Sequence, residues 1–311
     1  MLSRIADSLF WLSRYMERSD CLMRVVRTNY ILSFDASTHT DFSWKDAIAM
    51  FAIIDPDAGA ADTPRNALPF LITDIENHNS MKSLITKARE NARGVQDNIT
   101  KEVWEEVNQL YHLVNTPGLE AQLNGSHALE TIDKLDQSSL LFYGVTDSTM
   151  PRGQGWNFMS LGKFIERSIL SIDVTYAHFS KIGHEVKTTQ DILFWKNLLL
   201  SLSGYELYLK TYTRGQHTLN VIDHIIFNKD FPRSLLYSVI RVRRYLDAIA
   251  EDTKMEGSAG LQKTFGRICS KVEFADINTV QQTGLPQFLQ SLRKDLVDFS
   301  NQLTRIYFSY A

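Results

Sequence analysis

Leu12-Ser-Arg-Tyr15-Met16-Glu17-Arg18-Ser19 and Leu161-Gly-Lys-Phe164-Ile165-Glu166-Arg167-Ser168 read as one helix written twice, 149 residues apart. Leu, Glu, Arg and Ser recur unchanged, while Arg/Lys, Tyr/Phe and Met/Ile exchange like for like. Around the first copy, apolar or small residues at Leu2, Ile5, Leu9, Leu12, Met16, Ser19, Met23, Val26 and Tyr30 alternate steps of three and four. That is the stripe of a helix with one face in a core. The second copy carries the same stripe at Phe158, Leu161, Ile165, Ser168, Ile172, Thr175 and Phe179. Farther along, the offset becomes 151: Trp44-Lys45 matches Trp195-Lys196, Leu68 matches Leu219 and Asn77 matches Asn228. Ser83-Leu84 then matches Ser234-Leu235, and Arg93 matches Arg244. A repeat of nearly half the chain predicts a duplicated domain and not a solenoid. The expected architecture is all-α, a pseudo-two-fold bundle of about twelve helices folded as a single domain over 1–311. Its halves would be 1–147 and 154–311, joined near 147–155, where Pro151, Gly153 and Gly155 interrupt helical sequence.

No segment alternates apolar and polar residues as a strand does. The periodicity predicts helices over 2–32, 42–54, 65–77, 80–98, 100–114 and 126–143 in the first half. The second half would hold 155–181, 189–212, 216–227, 232–252, 258–272 and 286–309. Asn79 and Asp230 stand 151 apart before helical runs and are expected to cap them, with Pro232 at a first helical position. Asp55-Pro-Asp-Ala-Gly59 marks a turn.

Apolar residues make up 44 % of the chain and charged residues 22 %, enough for an ample core. A net charge of −3 provides no global field to recruit nucleic acid. Cys21 and Cys269 are the only cysteines, which suits a reducing cytoplasm and excludes a disulfide framework. No run approaches the roughly 18–20 apolar residues of a membrane span, and Asp7, Arg14 and Glu17 interrupt any leader-like segment. A cytoplasmic protein without membrane contact is expected.

Glu17-Arg18 and Glu166-Arg167 lie beside the main apolar stripes, which would be wasteful on a fully solvated helix. One interpretation is architectural: Glu17 with Arg167 and Glu166 with Arg18 as reciprocal buried ion pairs that fix register. The other is a cleft in which carboxylate and guanidinium hold a ligand or act on one. Eight histidines raise a metal question, yet none has Asp or Glu three residues before it, and His184-Glu185 lacks the second histidine of a zinc motif. His217 and His224, with Asp223 beside them, and Tyr205, Tyr208 and Tyr212 are expected as packing residues. No metal site and no cofactor are expected. Arg89 and Arg93 in the first half, and Arg241, Arg243 and Arg244 in the second, form a candidate ligand or partner surface, since helical arginines bind carboxylate or phosphate bidentately.

The doubled Glu-Arg signature, Ala88-Arg-Glu-Asn-Ala-Arg93 with Asp97 after it, and Phe231-Pro-Arg-Ser234 together resemble the bacterial alpha-E domain family over essentially the whole chain. The resemblance implies an all-helical domain with Glu17-Arg18 as its signature and Glu166-Arg167 as the internal copy. Members of that family are commonly encoded beside, or fused to, circularly permuted ATP-grasp proteins, with transglutaminase-like proteins nearby. The resemblance therefore implies a non-enzymatic accessory or scaffold for an ATP-grasp ligase in an ATP-dependent peptide- or amide-forming system. The alternative is a helical enzyme or peptide-binding subunit that uses the Glu-Arg pairs.

Overall fold

The opening three-and-four stripe becomes a helix of 30 residues, α1 (Ser3–Leu32). Its stripe residues Leu9, Leu12, Met16, Met23 and Val26 are wholly buried. The computed structural model describes residues 1–34, 42–52, 62–213 and 215–308, so the turn expected at 55–59 lies outside the described residues. After α1 come α2 (Trp44–Phe51), α3 (Pro64–Ile72), α4 (Met81–Gly94), α5 (Lys101–Val114), α6 (Leu119–Leu123) and α7 (Ala128–Thr149). They are followed by α8 (Gln154–Ser180), α9 (Ile192–Ser201), α10 (Tyr205–Thr211), α11 (His217–Ile226) and α12 (Leu235–Thr253). The chain closes with α13 (Ser258–Glu273), α14 (Ile277–Thr283) and α15 (Leu285–Tyr307). Among the described residues there is no strand, and no helix is long and apolar enough to cross a membrane.

Among the described residues there are fifteen α-helices, against about twelve expected. The segment 189–212 divides into α9 and α10 at Ser203, whose φ is +55°, and Gly204. A side-chain carbon on Gly204 would stand only 2.7 Å from the Phe231 ring and 3.0 Å from His224 Nε2, so glycine is required there. The short helices α6 and α14 fall between segments expected as helical. Helical periodicity does not register such breaks, because a turn of two or three residues can leave the apolar faces on either side aligned.

The chain forms two compact units: residues 11–151, and residues 152–311 together with 1–10. One boundary between them falls at Pro151–Arg152. In the 11–151 unit, α5 packs between α4 and α7. Leu84, Ile85, Val103, Val107, Leu110, Ile132 and Leu135 are fully buried there. In the other unit, α8 packs on α12 and α15, and α13 on the same two. Ile165, Val242, Phe265, Leu289 and Phe299 fill its core. Residues 1–10 join this unit through Phe10, whose ring lies 5.1 Å from that of Phe308. The helix α8 comes so close to Phe10 that a side-chain carbon on Gly162 would sit 2.4 Å from its carbonyl oxygen.

The expected caps Asn79 and Asp230 are corrected by the structure. α4 is capped by the Ser80 hydroxyl, which accepts from the Ser83 N–H, and α12 by that of Ser234, which accepts from the Tyr237 N–H. Pro232 consequently precedes the cap instead of opening the helix. The asparagines that match by sequence act one step earlier: Asn77 Oδ1 accepts from the Asn79 N–H at 3.1 Å, and Asn228 Oδ1 from the Asp230 N–H at 2.9 Å. Both are turns in which the side chain binds backbone two residues on. Registered on the serine caps, which are 154 apart, Met81, Leu84, Ile85, Ala88 and Ala92 pair with Leu235, Ser238, Val239, Val242 and Leu246, all buried. In that register Arg89 corresponds to Arg243, Lys87 to Arg241 and Arg93 to Asp247, so Arg93 and Arg244 do not share a helical position.

Candidate functional site

The signature residues sit mid-helix, on α1 and α8. In the 11–151 unit, Glu17 is fully buried and accepts a hydrogen bond from the Tyr143 hydroxyl of α7 at 2.8 Å. Arg18 is half-buried and donates to Asn79 Oδ1 at 2.9 Å, on the turn that leads into the Ser80 cap. In the other unit, Glu166 is buried, and Arg167, also buried, donates to the Pro232 carbonyl at 3.3 Å. Ser171, one turn later on α8, donates to the Arg233 carbonyl at 2.9 Å. The Ser234 hydroxyl closes the same turn by donating to the Asn228 carbonyl at 2.6 Å. In both units, therefore, the signature arginine grips the turn that starts the next long helix. A charge-assisted hydrogen bond of this kind contributes about 1.5–3 kcal/mol.

One turn beyond Glu17, Asp20 and Arg24 form a buried ion pair at i, i+4 spacing that sequence reasoning missed. Burial alone works against the Arg24 charge, but Asp20, reinforced by Glu17, raises its pKa above the ordinary arginine value. From α7, Asp136 faces the same group. Burial, together with the Asp20 charge, raises its carboxyl above the usual range, while Arg24 and Arg27 pull the other way. The signal was present in the sequence as two opposite charges four residues apart on a helix. Nothing in that spacing distinguishes a buried pair from a solvated one.

The five candidate arginines fall into different environments. Arg89 is tied down: Nε donates to Asn108 Oδ1 at 2.8 Å, and the guanidinium stacks 4.4 Å from the Tyr111 ring. Arg93 pairs with Glu90 at 2.5 Å and Arg243 with Glu273 at 3.2 Å, both near the surface. Arg241 donates to the Tyr237 hydroxyl at 3.1 Å and lies 4.9 Å over that ring. Arg244 is exposed, 5.9 Å from the Tyr245 ring. Neither Arg241 nor Arg244 makes an ion pair among the described residues.

The histidines and tyrosines of α10 and α11 pack as expected. His224 is fully buried, stacked 4.4 Å from Phe231, and edge-on to Tyr208 and Tyr212. Burial lowers its pKa to about 4. Tyr208 bonds His217 Nδ1 at 2.8 Å, and the Tyr212 hydroxyl donates to Asp223. Among the described residues no three His, Cys, Asp or Glu side chains are grouped as a metal site needs. An open groove of about 1110 Å³ in the 11–151 unit is lined by Phe70, Asp74, Lys82, Asn115 and Glu120 among others, and none of the signature residues reaches it.

A family described as Alpha-E, "a predicted alpha-helical domain with a conserved ER motif", matches residues 1–308. An uncharacterized protein of Mycobacterium bovis is 24 % identical over 278 residues, which are 83 % of this chain and 30 % of that protein. Uncharacterized proteins of two Mycobacterium tuberculosis strains show the same identity and coverage. The chain thus spans under a third of the length of these relatives. No solved structure matches it.

Proposed function

The chain belongs to the Alpha-E family, and we propose that it serves as a non-enzymatic accessory or scaffold module for a circularly permuted ATP-grasp ligase. The system served would form peptide or amide bonds at the expense of ATP in the cytoplasm, with a transglutaminase-like protein as a further partner. The observation that carries this reading is the use made of the signature. Arg18 and Arg167 donate to Asn79 and Pro232, and Glu17 accepts from Tyr143, all within the chain itself. Arginines engaged in holding helix starts serve a rigid module better than they serve turnover. The relatives add support, since in them the matched 278 residues are 30 % of a longer polypeptide. The two-fold recurrence of an arginine gripping a capping turn also favours descent of the halves from one duplicated unit.

The test is to purify the chain alone and together with a circularly permuted ATP-grasp protein from the same source, and to follow ATP turnover with candidate peptides. Co-elution with stimulated turnover is the expected result. Turnover of a peptide by the isolated chain would overturn the scaffold reading in favour of a helical enzyme.

A further inference from the structure

In the 152–311 unit, α8 and α12 bring aromatic rings and cations together. Phe164 stacks on Tyr245 at 6.0 Å with nearly parallel planes and meets Tyr237 at 6.1 Å. Lys163 stands 5.6 Å and Arg167 5.2 Å from the Phe164 ring, while Arg241 and Arg244 cover Tyr237 and Tyr245. Along α12 the residues Tyr237, Arg241, Arg244 and Tyr245 follow helical spacing and make one stripe. Its two arginines differ from their neighbour Arg243, which Glu273 neutralises. Among the described residues the half-buried Arg241 has only a ring and a hydroxyl for company, which leaves most of its five donors unused, and a ring face attracts a guanidinium weakly beside a carboxylate.

We infer that this stripe is a docking surface for an acidic segment of a partner protein. Uncompensated positive charge calls for a negative occupant, and the shape of the stripe selects its kind. From Tyr237 to Tyr245 it runs roughly 12 Å along the helix at about 1.5 Å per residue. Arg241 and Arg244 are about one helical turn apart and one oxyanion can meet both, but only a longer occupant also covers the rings at either end of the stripe. In an acidic peptide the aliphatic stems that carry the carboxylates pack against the tyrosine and phenylalanine rings. Arg89, bound by Asn108 and Tyr111, and Arg93 and Arg243, each paired with a glutamate, lie outside the surface. The inference goes beyond the scaffold reading and can fail or stand without it.

The experiment measures binding of fluorescent hexaglutamate to the full chain by anisotropy at low ionic strength, where surface charge is least screened. The wild-type chain should bind. Arg241→Gln with Arg244→Gln should weaken binding by about tenfold or more, as expected when two charge-assisted contacts are lost. Arg243→Gln, with its guanidinium already paired, should bind as the wild type does. Arg244→Gln alone alters an exposed residue and should give an intermediate loss with an unchanged melting temperature. Absence of wild-type binding overturns the proposal, and so does an equal loss in Arg243→Gln. Tighter binding of a single-stranded oligonucleotide of equal charge overturns the assignment to an acidic protein segment. If hexaglutamate binding behaves as expected but no ligase co-elutes, only the scaffold reading falls. If a ligase co-elutes unchanged with the double variant, only the surface falls.

Discussion

Glu17 illustrates how little a residue's chemistry says without its surroundings. Its carboxylate is fully buried, receives the Tyr143 hydroxyl and helps sustain the Arg24 charge. Glu17→Ala therefore leaves the Tyr143 hydroxyl without this acceptor and removes the lesser of the anions that support Arg24, whose pair with Asp20 remains, a loss of about 1–3 kcal/mol. The urea unfolding midpoint should fall markedly, and a change within error would show that the charge is dispensable. Asp136 behaves in the opposite sense. Its Oδ1 is buried without a hydrogen bond, and its pKa is raised by burial and by Asp20. The folded chain thus holds the Asp136 proton more tightly than the unfolded chain does. This favourable contribution is complete below the ordinary aspartate pKa of about 3.9 and is lost as pH rises through the raised folded value. Asp136→Asn should accordingly stabilise the protein near neutrality, with the gain fading as pH falls below the raised value. Denaturant titrations at neutral and acidic pH check this, and a loss of neutral-pH stability would reverse the assignment.

At the scale of elements, helix starts were the least legible feature. Asn79 and Asp230 matched across the repeat and had the right chemistry for caps, yet the hydroxyls of Ser80 and Ser234 do the capping. The reason is local: each asparagine at 77 and 228 first turns the chain, which places a serine, and no earlier residue, at the helix mouth. Ser234→Ala should lower stability by about 1 kcal/mol, the usual cost of losing such a cap. Asp230→Ala, at an exposed position whose backbone N–H makes the turn contact, should change it little. Thermal melts of the two variants distinguish the assignments, and the reverse order would restore Asp230 as the cap. The helices themselves were legible wherever the three-and-four stripe ran long, as in α1, α8 and α12. They were illegible where short pieces such as α6 and α14 carry too few turns to show a period.

At the scale of the molecule, the chain's first ten residues belong with its second unit. Their anchor is Phe10 against Phe308, with α8 passing close at Gly162. Deleting residues 1–10 should therefore increase amide exchange in α8 and α15 while leaving α5 and α7 protected. Unchanged protection in α8 and α15 would remove the segment from that unit. By itself, the sequence determined the all-helical class and the long helices, because apolar periodicity depends only on the spacing of side chains along one helix. It also singled out Glu17-Arg18 and Glu166-Arg167, because their spacing repeats. What those groups bind, which serines cap and which arginines stay unpaired was decided only by tertiary structure. Each depends on partners distant in the chain, such as Tyr143, Asn108 and Glu273, that folding alone brings within hydrogen-bonding reach.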